Sequence, residues 1–165
     1  MKQNITIPAL TISLVFCLAI FAFADEYDNR RALHNISKAK TYFDVNMGIP
    51  EKLVTRLKLI DTTYEQLSAA GAHPEFVIGF RGKASRFVTR GNDYVFEEDI
   101  ALKKEVHTWV KRFKERGIPM EQCLIAAGFQ NVDPKDILQE IEVVQNGYVS
   151  MIGYQVKGYA QVPMD

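Results

Sequence analysis

Apolar residues recur along the chain with two different periods, and the switches between them mark out the elements. From Pro50 to Ala70, Leu53, Leu57, Ile60, Tyr64 and Leu67 return every three or four positions, the spacing of one buried helix face. Pro50 stands in the first turn, where its missing N–H does no harm, and Gly71 can close the end. Phe96 to Arg116 repeats the pattern with Ile100, Val106, Val110 and Phe113 before Gly117. The charges of that segment, Lys103-Lys104-Glu105 and Lys111 to Arg116, read as a solvated helix face.

Shorter runs read as strands. Lys40 to Asn46 is rich in β-branched and aromatic residues and stops at Met47-Gly48. Glu75 to Arg81 follows His73-Pro74; Ile118 to Cys123 holds a proline that fits only at a strand start; Ile141 to Val144 and Tyr159 to Val162 make five. Between them lie one or two helical turns at Ala32 to Ile36, a loop or short helix at Gly82 to Val88 and a helix starting just after Cys123. Asp133 reads as the N-cap of a further short helix with Pro134 in its first turn, and Gly147 to Gly158 as the last helix. Strands alternating with helices predict an α/β fold, a three-layer α/β/α sandwich around a mostly parallel five-stranded sheet.

In such a sheet the loops leaving the carboxyl ends of the strands converge on one edge, where ligands bind. Here they carry Asp44 and Asn46, Arg81 and Arg86, Gln122 and Cys123, and Asn146. Cys123 is the candidate catalytic group, and the other six are candidate binding residues.

The first 24 residues stand apart from this pattern. Lys2, the apolar run Ile5 to Phe23 and Ala22-Phe23-Ala24 before Asp25 are the three parts of a secretory signal peptide. The alternative is a retained anchor, because the run is near the ~20 residues that span a bilayer. Cleavage after Ala24 would leave one domain over residues 25–165, in the periplasm or outside the cell.

Composition narrows the function classes. Of 165 residues, 20 are Lys or Arg and 20 are Asp or Glu, so there is no basic field to hold a nucleic acid or an anionic membrane. No metal or cofactor motif is present: the three histidines lie far apart, and His73 and His107 read as surface groups. Gly79 to Ser85 lacks the spacing of a phosphate loop, and no Gly-x-Ser-x-Gly occurs.

Cysteine usage is more informative. Cys17 belongs to the leader, so Cys123 is the lone thiol of the mature chain, and it is either buried and inert, paired between chains, or chemically used. At a strand-to-helix transition the free N–H groups of the helix favour a thiolate, which Arg81 or Arg86 would assist. Followed by Leu124-Ile125-Ala126-Ala127, it reads equally as a small apolar core residue.

Several segments taken in order resemble exported members of the DsrE/DsrF-like family. They are Val45 to Gly48, Lys52 to Leu57, Phe80 to Val88, the triplet Glu121-Gln122-Cys123, and Ile152 to Ala160. The resemblance implies a flavodoxin-like or Rossmann-like sandwich assembled into homotrimers or hexamers. It also implies sulfur-relay chemistry, since cytoplasmic members carry persulfide sulfur on a cysteine, and Cys123 is the position that looks like that carrier. Two departures limit the transfer: the leader places this chain away from the cytoplasmic relay partners, and some family members lack the carrier cysteine. The expected function is a periplasmic sulfur carrier with Arg81 and Arg86 stabilising the anion. The alternative is a non-catalytic oligomeric module that binds a small anion or a protein partner, with a structural cysteine. A thiol redox protein is a third reading, needing an external thiol for want of a resolving cysteine.

Overall fold

The computed structural model describes residues 28–165; the signal peptide and cleavage site expected from the sequence lie outside the described residues. Five strands form one sheet: β1 (Lys38–Val45), β2 (His73–Phe80), β3 (Met120–Cys123), β4 (Glu142–Val144) and β5 (Ala160–Met164). The order is β4-β3-β2-β1-β5, and every neighbouring pair is parallel. The chain steps from β1 out to β4, then crosses back over the sheet to lay β5 on the free edge of β1. The sheet is therefore wholly parallel where a mostly parallel one was expected.

Helices cover both faces. A short α1 (Arg30–Leu33) precedes β1; α2 (Pro50–Ala69) and α3 (Ile100–Glu115) pack on each other over one face. Phe43, Val45, Ile78, Phe80 and Met120 from the strands meet Leu53, Leu57, Ile60, Val106, Val110 and Phe113 from these helices in the main core. Two further helices, α4 (Leu124–Phe129) and α5 (Gly147–Val156), follow β3 and β4. The crossing helix α5 lies on the opposite face, where Tyr42 and Val77 pack with Met151, Tyr154 and Tyr159. Strand alternation explains the division: Phe43 and Val45 point to the main core, while Tyr42 and Asp44 point to α5.

Pro119 precedes β3, and its carbonyl accepts from the Ile78 N–H at 3.0 Å, so the strand begins beyond the residue that cannot donate. The segment Gly82–Val88 is a 3-10 turn, and a 3-10 turn at Glu97–Asp99 leads into α3, which starts later than the apolar pattern suggested. Pro134–Asp136 forms a single 3-10 turn with Asp133 as its cap.

Two readings of α3 need correction. Lys103 is only 1% exposed, not part of a solvated face. It falls three residues before Val106 and seven before Val110, on the buried stripe, and Nζ donates to Thr89 Oγ1 at 2.6 Å and to the Gly91 carbonyl. His107 is half-buried rather than a surface group, with Nε2 3.2 Å from the Phe87 carbonyl oxygen. Phe87 belongs to the first 3-10 turn and Thr89 and Gly91 follow it, so the turn and the loop after it both fold down on α3, a contact between segments that periodicity does not report.

Candidate functional site

Cys123 ends β3 and is the N-cap of α4. Its Sγ accepts from the Ala126 N–H at 3.4 Å and from the Gly147 N–H at 3.2 Å. The second donor opens α5, so one sulfur atom caps two helix starts that come from distant parts of the chain. Free helix-start amides and the positive end of the dipole favour negative charge at such a position. The approach is close: a Cβ on Gly147 would stand 3.0 Å from the Cys123 Cβ and 3.5 Å from Sγ. A residue without a side chain is what lets α5 begin directly over the sulfur. Cys123 itself is 6% exposed.

Of the other sequence-derived candidates, two build the surroundings of this sulfur. Asn146 caps α5 through Oδ1, which accepts from the Tyr148 N–H at 3.0 Å. That bond fixes the turn from which Gly147 donates. Gln122 points to the opposite face of β3, where Nε2 donates to Ser85 Oγ at 2.8 Å and to the Cys123 carbonyl at 2.9 Å. It anchors the first 3-10 turn under the cysteine, and its Oε1 is buried without a partner.

Arg81 is engaged elsewhere. Its guanidinium holds Asp44 in a fork and lies over the Tyr148 ring, 5.1 Å from the centroid. Nη1 also donates to the Tyr148 hydroxyl at 3.3 Å. The hydrogen bonds to Asp44 hold the Arg81 charge more firmly, raising its pKa. Arg81 thus reaches α5 next to Gly147, but through Tyr148 rather than through sulfur. Arg86 lines a separate cavity of about 310 Å³ with Lys83, Phe87, Asp93, Tyr94 and Phe96. Asn46 sits against Gly82, whose φ of +57° turns the chain into the 3-10 segment, with the Asn46 carbonyl 3.3 Å from where a Cβ would stand.

Around the candidate Asp44 the structure adds Tyr42, Gly79, Glu121 and Tyr154, which the sequence reading did not single out as site residues. Asp44, Gly79 and Glu121 are register partners across β1, β2 and β3. Having no side chain, Gly79 admits the Tyr42 ring, whose hydroxyl occupies the place a Cβ would need. Burial pushes the Tyr42 hydroxyl pKa upward, with the Glu121 and Asp44 charges adding to the effect. Glu121 accepts from the Ser150 hydroxyl and from the Tyr154 hydroxyl at 3.2 Å. Tyr154 is pushed up to about 12 by burial first and by the Glu121 charge second. One signal could have found Glu121: it precedes Cys123 by two in a strand, and so shares its face.

Among the described residues no group of three His, Cys, Asp or Glu could hold a metal ion, and no helix is long and apolar enough to cross a membrane.

No known protein-family profile matches the chain. An uncharacterized protein of Aquifex aeolicus is 27% identical over 164 residues, 99% of this chain and 66% of that longer protein. Two solved structures are similar: the protein of unknown function MTH1491 from Methanobacterium thermoautotrophicum, with TM-score 0.54 and 15% identity, and the ychN protein from E. coli, with TM-score 0.52 and 14% identity. Each alignment covers 76% of this chain and 97% of the other. These likenesses show the fold, the DsrE-like α/β arrangement, and the fold alone.

Proposed function

We propose that this protein is an exported sulfur carrier of the DsrE/DsrF-like type, with Cys123 holding sulfane sulfur as a persulfide. The observation that carries the reading is the pair of backbone donors on one sulfur, Ala126 N–H and Gly147 N–H. They stabilise negative charge with no need of Arg81 or Arg86. In the step itself, the Cys123 thiolate attacks the outer sulfur of a persulfide or polysulfide. A new S–S bond forms on Cys123, the donor's S–S bond breaks, and the donor leaves as a thiolate, so no external oxidant or reductant is consumed. Attack by an acceptor thiolate on the outer sulfur reverses the sequence and frees Cys123.

Export rests on the leader, and assembly on an exposed apolar surface. Tyr148, Val149, Ile152 and Val156 of α5 are all exposed, Val156 at 84%, a patch that suits contact with further copies of the chain in a trimer or hexamer.

One observation favours the non-catalytic module instead: Cys123 is buried, as a packing residue would be. Treatment of the native protein with inorganic polysulfide separates the two readings. A carrier gains the mass of one sulfur atom, the gain disappears on reduction, and Cys123→Ser abolishes it. A thiol that reacts only after denaturation overturns the carrier and leaves the module.

A further inference from the structure

On the reading of Cys123 as a carrier, we propose that Glu121 is the positioning residue that sets the Gly147 N–H against the sulfur. Glu121 and Cys123 alternate on β3 and face the same side. Glu121 is 7% exposed and, among the described residues, has no cationic partner. Its two oxygens are divided between two hydroxyls of α5: Ser150 donates to Oε2 and Tyr154 to Oε1. Those residues are four apart, hence one above the other on the face that α5 turns to the sheet. A single carboxylate therefore grips a full turn of α5.

Gly147 lies three residues before Ser150 on the same helix, so the grip transmits directly to the helix start. The sulfur tolerates little displacement there, because the Gly147 amide is 3.2 Å away and such bonds weaken steeply with distance and angle. Apolar packing alone would hold α5 on the sheet with some freedom to slide, since among the described residues α5 gives the small cluster with Tyr42 and Val77 one buried side chain, Met151, and one partly buried, Tyr154. A buried carboxylate shared by two hydroxyls removes that freedom, because any shift of the helix leaves an oxygen unpaired in a dry place.

The test compares Glu121→Ala, Glu121→Gln and the double variant Ser150→Ala/Tyr154→Phe with the wild type, checking the fold of each by circular dichroism. Two readouts report the sulfur contact rather than stability: the Gly147 amide proton in the NMR spectrum, and the thiolate absorbance followed across a pH titration. Glu121→Ala and the double variant are expected to move the amide signal upfield, and the double variant, which keeps the Glu121 charge in place, to lower the thiolate-to-thiol ratio roughly tenfold, the scale of one hydrogen bond to a charged group. Glu121→Gln, which keeps an acceptor oxygen, should recover most of the amide shift. If Glu121→Ala does not fold, the double variant decides. Unchanged readouts in the folded variants overturn the proposal, and so does a Gln variant as impaired as the Ala variant. Wild-type protein that takes up no sulfur while the readouts shift as expected ends the carrier reading and leaves the positioning role standing.

Discussion

Asp44 holds Arg81 through both carboxylate oxygens, Nε to Oδ1 and Nη2 to Oδ2, each at 2.5 Å. Asp44 is 2% exposed and sits at the carboxyl end of β1; Arg81 follows β2 directly. The pair locks the ends of the two central strands to each other and, through Tyr148, to α5. Since Asp44 is buried, removing one partner should harm more than removing both. Arg81→Met, which strands the buried carboxylate, is expected to lower stability by on the order of 3 kcal/mol in urea unfolding. The double variant Asp44→Ala/Arg81→Met should lose less than the sum of the two single changes. Strict additivity would show that the fork contributes little.

Burial lowers the pKa of Lys103 to about 8 from the ordinary 10.5, against the opposing pull of the Asp93 and Asp136 charges. Between those two values the unfolded chain keeps a proton that the folded chain has released. Stability from this residue therefore rises with pH. The penalty for burying the ammonium is full below about pH 8 and is relieved as pH climbs towards 10.5. Compared with Lys103→Met, the wild type should gain stability over this window in denaturant unfolding at a series of pH values. Parallel curves for the two proteins would contradict it.

The exposed face of α5 predicts an assembly that a charge disrupts. Ile152 is exposed and sits one turn from Val149 and Val156. Ile152→Glu is expected to shift sedimentation to the monomer without altering the circular dichroism spectrum, since the side chain leaves the core untouched. A wild type that sediments as a monomer at all concentrations would end the oligomer proposal.

Elements with a strong period were readable in the chain. The α2 stripe Leu53, Leu57 and Ile60 and the run Thr41 to Val45 place themselves, because a helix face or strand face needs only local spacing to be buried. Cys123 at a strand-to-helix junction was readable for the same reason, since the apolar-to-helical change falls on it. Lys103 and His107 were misread because their partners, Thr89, Gly91 and Phe87, lie 12 to 20 residues away in a 3-10 turn and the loop that follows it, a stretch without helix or strand periodicity. The arginines near the cysteine show the same limit: sharing a sheet edge did not make Arg81 a partner of sulfur, because Asp44, 37 residues away, binds it in a fork.

Local order along the chain determined the parallel α/β architecture and the presence of one thiol at the end of a strand. Only the tertiary structure decided what surrounds that thiol. Gly147 is 24 residues from Cys123 and Ser150 is 29 from Glu121, and they meet because α5 crosses back over the sheet. Hydrogen-bond partners of buried groups are set by which segments the fold stacks together, and spacing along the chain holds no record of that choice.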